Sequence, residues 1–241
     1  MAIEIKLPTD KVTLPSNGFG YEGKNIPKQV TLKMLTLADS KTMMAAGNGL
    51  SKLITGVLER CVVEKFDVTQ LYTSDRLFLF MMLRKHSFGS VLKVDFTCDE
   101  CKGKNTIDVN IPEDLDLRLK EEDSFEQTIT LDKSGVDVTI KLLTGEDEAR
   151  LERKTNRDKS SLLTNNISAH VVKITQGVEE EIDSIVIDRL VNTLAFSDKQ
   201  AISDALDNME FGFKTTSMEQ CAHCNNEQEV GVAFGHNFFR V

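Results

Sequence analysis

Four of the five cysteines fall into two C-x-x-C pairs, Cys98/Cys101 and Cys221/Cys224, which lie 123 positions apart. This spacing limits the fold more than any other feature. The short loop between paired cysteines aims both sulfurs at one point, and two such knuckles facing each other give the tetrahedral sulfur cage of a closed structural zinc site. Glycine or asparagine follows each pair (Cys101-Lys102-Gly103; Cys224-Asn225-Asn226), as a zinc ribbon requires. A redox C-x-x-C would instead occur once, at a helix start in a parallel-sheet pattern. The expected ligand set is therefore Cys98, Cys101, Cys221 and Cys224 around one structural zinc, with iron the other metal that four thiolates would accept. His223 and His236 read as surface residues, His86 and His170 as packed helix residues, and the lone Cys61 as a small core residue.

The pairs also end a longer repetition. Residues 30–36 (VTLKMLT) return as 138–144 (VTIKLLT), 108 positions on. Ser74-Asp75 returns as Ser197-Asp198 and Phe88-Gly89 as Phe211-Gly212, both 123 positions on, like the cysteines. The change of offset implies 15 extra residues in the second copy, expected in the polar stretches 152–161 and 177–184. Each copy reads as an alternating strand (29–35; 136–142), a Thr-capped helix, a second apolar-faced helix and a third helix at the Ser-Asp pair. A strand then enters each knuckle and another leaves it. The second-helix faces are Leu50, Leu53, Ile54, Val57, Leu58, Cys61 and Val62, and Leu162, Leu163, Ile167, His170, Val171 and Ile174. Residues 77–83 (LFLFMML) are apolar all round and predict the most buried helix. Residues 125–131 alternate and should form a hairpin with the next strand across Asp132-Lys133-Ser134-Gly135.

The predicted fold class is α+β, with two internally duplicated halves of helices and antiparallel strands joined by the composite four-cysteine ribbon. The expected division is an irregular N-terminal arm over 1–28, a first repeat over 29–112 and a second over 113–241.

Composition narrows the function. Of 241 residues, 29 are basic and 38 acidic, a net charge of −9. Nucleic-acid binding needs clustered Lys and Arg, whereas the charge runs here are acidic (Glu121-Glu122-Asp123; Glu179-Glu180-Glu181). A zinc-ribbon nucleic-acid-binding regulator is thus the alternative reading only. No apolar run is long enough to span a membrane, and the start (MAIEIKLP) has no secretory character, so a cytoplasmic setting is expected. No G-x-S-x-G, P-loop or H-E-x-x-H is present, and four thiolates leave a zinc no open position, so no enzyme is expected. The adjacent aromatics near the C-terminus, Phe238 and Phe239 with Arg240, are the expected partner-binding residues.

Several of these segments together resemble a known family. They are Leu14-Pro15-Ser16-Asn17-Gly18-Phe19-Gly20-Tyr21, Leu35-Thr36 with its acidic follow-up, Asp75-Arg76-Leu77, Ser87-Phe88-Gly89, the two C-x-x-C pairs and Phe238-Phe239-Arg240. In combination they are similar to the baseplate proteins of T-even-type contractile-tailed bacteriophages, which include hub and hub-assembly proteins. The resemblance implies other tail or baseplate proteins as partners. It also implies a place in the host cytoplasm during assembly, and leaves open whether the product stays in the virion baseplate. The zinc rests on spacing and not on the resemblance.

Overall fold

The alternating stretches pair as hairpins in the computed structural model, which describes residues 5–45, 49–232, 234 and 236–239. Strand β1 (Thr9–Thr13) pairs with β2 (Gln29–Lys33), and β6 (Glu126–Leu131) with β7 (Val136–Lys141). Alternation puts every second side chain on one face. The faces so defined bury Val30 and Leu32 in β2, and Val138 and Ile140 in β7. Every strand pairing between these and the remaining strands is antiparallel, so the chain is a mixed α+β fold with small antiparallel sheets.

Each hairpin runs into a capping box. The N–H and Oγ1 of Thr36 donate to the Asp39 carboxylate at 2.7 and 2.6 Å, and those of Thr144 to Asp147 at 3.2 and 3.0 Å. These bonds seat each carboxylate at a helix start, where free N–H groups favour it. A single 3-10 turn and α1 (Ser40–Ala45) follow the first box, and α4 (Gly145–Arg157) the second. Next come α2 (Leu50–Cys61), which buries Leu53, Ile54, Val57, Leu58 and Cys61, and α5 (Leu162–His170).

The expected second-copy helix face does not hold. Helix α5 stops at His170, Leu162 and Leu163 are exposed, and Val171 and Ile174 belong to strand β8 (Val171–Gln176). The β-branched run Val171-Val172-Lys173-Ile174 prefers a strand, and it completes the sheet beside β7, pairing Val171 with Ile140. In the first half the equivalent position is a single bridge, Leu32 to Val62. Strand β9 (Glu179–Glu181) and α6 (Ser184–Val191) then lead to the third helix, where the first half has only a 3-10 turn. The offset between the matching segments is 109 at Val62/Val171 and 123 at Ser74/Ser197, so it changes almost entirely after Val171 and not within 152–161.

The third helices are α3 (Thr73–Phe88) and α7 (Asp198–Met209). As expected, α3 is deeply buried, with Phe78, Leu79, Phe80, Met81 and Leu83 in the core. The opening segment is not an irregular arm. Beyond β1, Leu14, Ser16 and Tyr21 are buried, and Asp75 of α3 accepts the Ser16 N–H at 3.0 Å and the Tyr21 hydroxyl at 2.6 Å. Gly20 (φ 73°) is needed here because a Cβ would come within 2.7 Å of the Phe125 ring and 2.8 Å of Tyr72. The hairpin that contains β2 therefore starts at β1, ahead of residue 29.

The two knuckles are β3 (Val91–Thr97) with β4 (Lys104–Asn110), and β11 (Thr216–Gln220) with β12 (Glu227–Gly231). Between the halves, β5 (Leu117–Arg118) pairs with β10 (Gly212–Phe213). Two hydrophobic cores result. One gathers α2, α3, the first hairpins and, from the far end of the chain, Phe213, Val230, Phe238 and Phe239. The other lies between the β6–β9 sheet and helices α6 and α7. Tyr72 stacks on Phe125 between them, with ring centroids 4.2 Å apart. The fully buried Arg76 of α3 reaches Glu148 of α4 at 3.2 Å and donates to Ser51 O and Thr55 Oγ1. Among the described residues, no helix is long and apolar enough to cross a membrane.

Candidate metal centre

Each C-x-x-C sits at the tip of its hairpin, closed by the same backbone bonds. Cys98 N–H donates to Gly103 O at 2.9 Å and Lys102 N–H to Cys98 O at 3.0 Å. In the second knuckle Cys221 N–H donates to Asn226 O at 2.8 Å and Asn225 N–H to Cys221 O at 2.9 Å. Lys102 and Asn225 both take the left-handed conformation, at φ 59° and 60°, which reverses the chain directly after the second cysteine. Each knuckle also brings the N–H two residues after a cysteine back toward its sulfur, Gly103 onto Cys101 and His223 onto Cys221, both at 3.4 Å.

The two tips meet head to head, and the four Sγ atoms lie within 4.8 Å of one another. The distances from Cys98 to Cys224 and from Cys101 to Cys221 are both 3.7 Å. A tetrahedron with metal–sulfur bonds of about 2.3 Å has edges of about 3.8 Å, so the donor set fits one tetrahedral metal ion. Cys98 and Cys221 are buried and Cys101 and Cys224 exposed, so one side of the cluster faces solvent.

The electrostatics favour a cation. Burial pushes the Cys221 thiol up, but the N–H groups of His223 and Cys224 and the Asn105 amide outweigh it and bring the thiol down to about 6. Hydrogen bonding from the knuckle backbone, Cys101 foremost, also lowers Cys98. The Asn226 N–H favours the Cys224 thiolate, yet burial and the three neighbouring sulfurs prevail and push it up to about 12. Some thiols ionise readily, and the charge they create opposes ionisation of the others. A central divalent cation removes that opposition.

Elsewhere, burial pushes the Cys61 thiol up to about 12, consistent with a core residue. His170 packs with Nδ1 2.8 Å from Lys141 O, and burial lowers its pKa. The expected docking aromatics are corrected. Phe238 stacks on Phe80 (5.1 Å, 8°), Phe239 meets the same ring edge-on (4.9 Å, 82°), and both are buried. Each ring hides a large apolar area by folding back beside α3, where Arg84 Nε donates to Phe238 O at 3.4 Å. Arg240 lies outside the described residues.

Asn105 and Gln228, whose amides reach from one knuckle to the other, were not among the expected site residues. The signal was present, since they too are 123 positions apart.

The sequence matches the T4 bacteriophage base plate protein family over residues 7–240, and the chain belongs to that family. No curated protein and no solved structure matches it.

Proposed function

We propose that the chain is a non-enzymatic structural or assembly component of a contractile-tail baseplate, acting by contact with other tail or baseplate proteins. Its scaffold is internally duplicated, and one structural zinc ion on Cys98, Cys101, Cys221 and Cys224 fixes the two copies to each other. The observation that carries this reading is the convergence of four sulfurs from hairpins more than a hundred residues apart, at tetrahedral spacing. Membership of the baseplate family supplies the setting.

Duplication is supported by the paired hairpins, the two capping boxes and the two Ser-Asp helix starts, met in the same order in each half. The boundary between copies falls within 112–122, with the first copy now extended back to β1. A structural role is supported by the filled coordination shell, which leaves no position for a reacting water. The net charge of −9 speaks against the nucleic-acid alternative.

The test is genetic. Phage carrying Cys98→Ser together with Cys221→Ser should yield tails with incomplete baseplates, seen by electron microscopy of infected-cell lysates. Wild-type yields of complete, contractile tails would contradict the proposal. Mass spectrometry of purified wild-type particles separates a virion component from a transient assembly factor.

A further inference from the structure

The knuckles belong to two separate two-stranded sheets, and among the described residues no strand pairing joins them. Side-chain amides join them instead. Asn105, at the start of the strand leaving the first knuckle, accepts the Ala222 N–H on Oδ1 at 2.9 Å. Gln228, on the strand leaving the second, accepts the Asp99 N–H on Oε1 at 2.8 Å. Asp99 and Ala222 are the first residues between their respective cysteines, and they are again 123 positions apart. The same bond is therefore made twice, once in each direction between the knuckles. The opposite ends of the amides are also engaged. Asn105 Nδ2 donates to Gly103 O at 3.0 Å and to Cys221 Sγ at 3.5 Å, and Gln228 Nε2 to Thr97 O at 3.3 Å. One further bond between the knuckles links His223 Nε2 and Lys104 O at 3.0 Å.

We propose that Asn105 and Gln228 are the positioning residues of the metal centre, reciprocal latches that dock the two knuckles and set the four sulfurs at capture distance. This rests on the reading that the four cysteines hold a metal. Each latch grips the peptide N–H between two cysteines, and so fixes the direction of both sulfurs of the opposite knuckle. The centre is then preformed, and metal enters a site whose ordering cost has already been met by protein–protein bonds. Asn105 has the larger role, because it is buried and also donates to a ligand sulfur, whereas Gln228 is half-exposed.

The test uses the full chain loaded with zinc and titrated against a chromophoric chelator. Outer-shell partners of metal ligands typically contribute about 10–100-fold in affinity. Asn105→Leu should weaken zinc binding by about that factor, Gln228→Met by less, and both should release zinc faster. Gln228→Glu keeps the oxygen that accepts the Asp99 N–H but loses the bond to Thr97 O, so it should recover part of the affinity that Gln228→Met loses, a rescue that loss of packing alone would not give. Cobalt(II) loading of Gln228→Met should still give tetrahedral thiolate absorption, with a lowered affinity. If wild type and both amide-deleting variants hold zinc within about twofold of one another, the latches are overturned while the metal reading stands. If wild type itself binds no zinc, the metal reading fails and the latches fail with it.

Discussion

Asp198 holds the Ser134 turn as Asp75, 123 positions earlier, holds Ser16: each carboxylate at a third-helix start accepts a backbone N–H from its half's hairpin connection, at 2.8 and 3.0 Å. The two differ in surroundings. Burial dominates at Asp75 and pushes its carboxyl up to about 6 despite the bonds from Ser16 and Tyr21. At Asp198 the Ser134 hydroxyl and N–H prevail and hold the carboxyl below the usual range.

The first prediction follows from that contrast. A carboxyl raised from about 4 in the unfolded chain to about 6 in the folded one makes the fold bind an extra proton in that window, so stability rises as pH falls from 6 toward 4. The effect is at most about 3 kcal/mol. Asp198 acts oppositely, but its contribution is lost only as pH falls below about 4. Urea unfolding of wild type and Asp75→Asn at pH 7 and pH 4.5 should show the stability difference between them moving in favour of wild type at the lower pH, since contributions from every other group are common to both. A difference that does not change with pH would assign the effect elsewhere.

A second prediction concerns the seam between the halves. A Cβ on Gly145 would lie 1.4 Å from Arg76 Nη1 and 2.3 Å from Cζ, and Arg76 is fully buried and held by Ser51, Thr55 and Glu148. Gly145→Ala should cost about 1–3 kcal/mol or more of unfolding free energy. Gly23→Ala, where a Cβ would meet nothing within 4 Å, carries the positive-φ strain without the clash and should cost less.

A third prediction reverses the expectation for the chain end. Phe238→Ala should destabilise the fold by about 3–5 kcal/mol, because the ring is 1% exposed and packed on Phe80. Thermal unfolding of the isolated protein checks it. An unchanged midpoint would return Phe238 to the role of a docking group.

The legible parts of the fold were those written in local chemistry. The Thr36 and Thr144 caps, the 132–135 turn and the apolar run of α3 each specify their geometry within a few residues, and each stands as read; of the cysteine reading, the clustering of the four sulfurs is what the structure shows. What was hidden depends on distant neighbours. Val171 and Ile174 keep the spacing of a helical face, and the strand preference of their β-branched run decides between the two once β7 lies beside them. Phe238 and Phe239 look stranded at a chain end until the groove along α3 is known. Tyr21 needs Asp75, 54 residues away, to show that the opening segment is core. Asn105 and Gln228 are ordinary amides in sequence and acquire a role only when the knuckles face each other.

The metal content of the purified chain tests the central claim most directly. Elemental analysis of protein prepared under reducing conditions should find one zinc per wild-type chain. In Cys224→Ser the metal should be largely lost, and the melting temperature should fall with it. Wild-type protein with no bound metal and four freely titrating knuckle thiols, or a Cys224→Ser variant that melts like the parent, would contradict it.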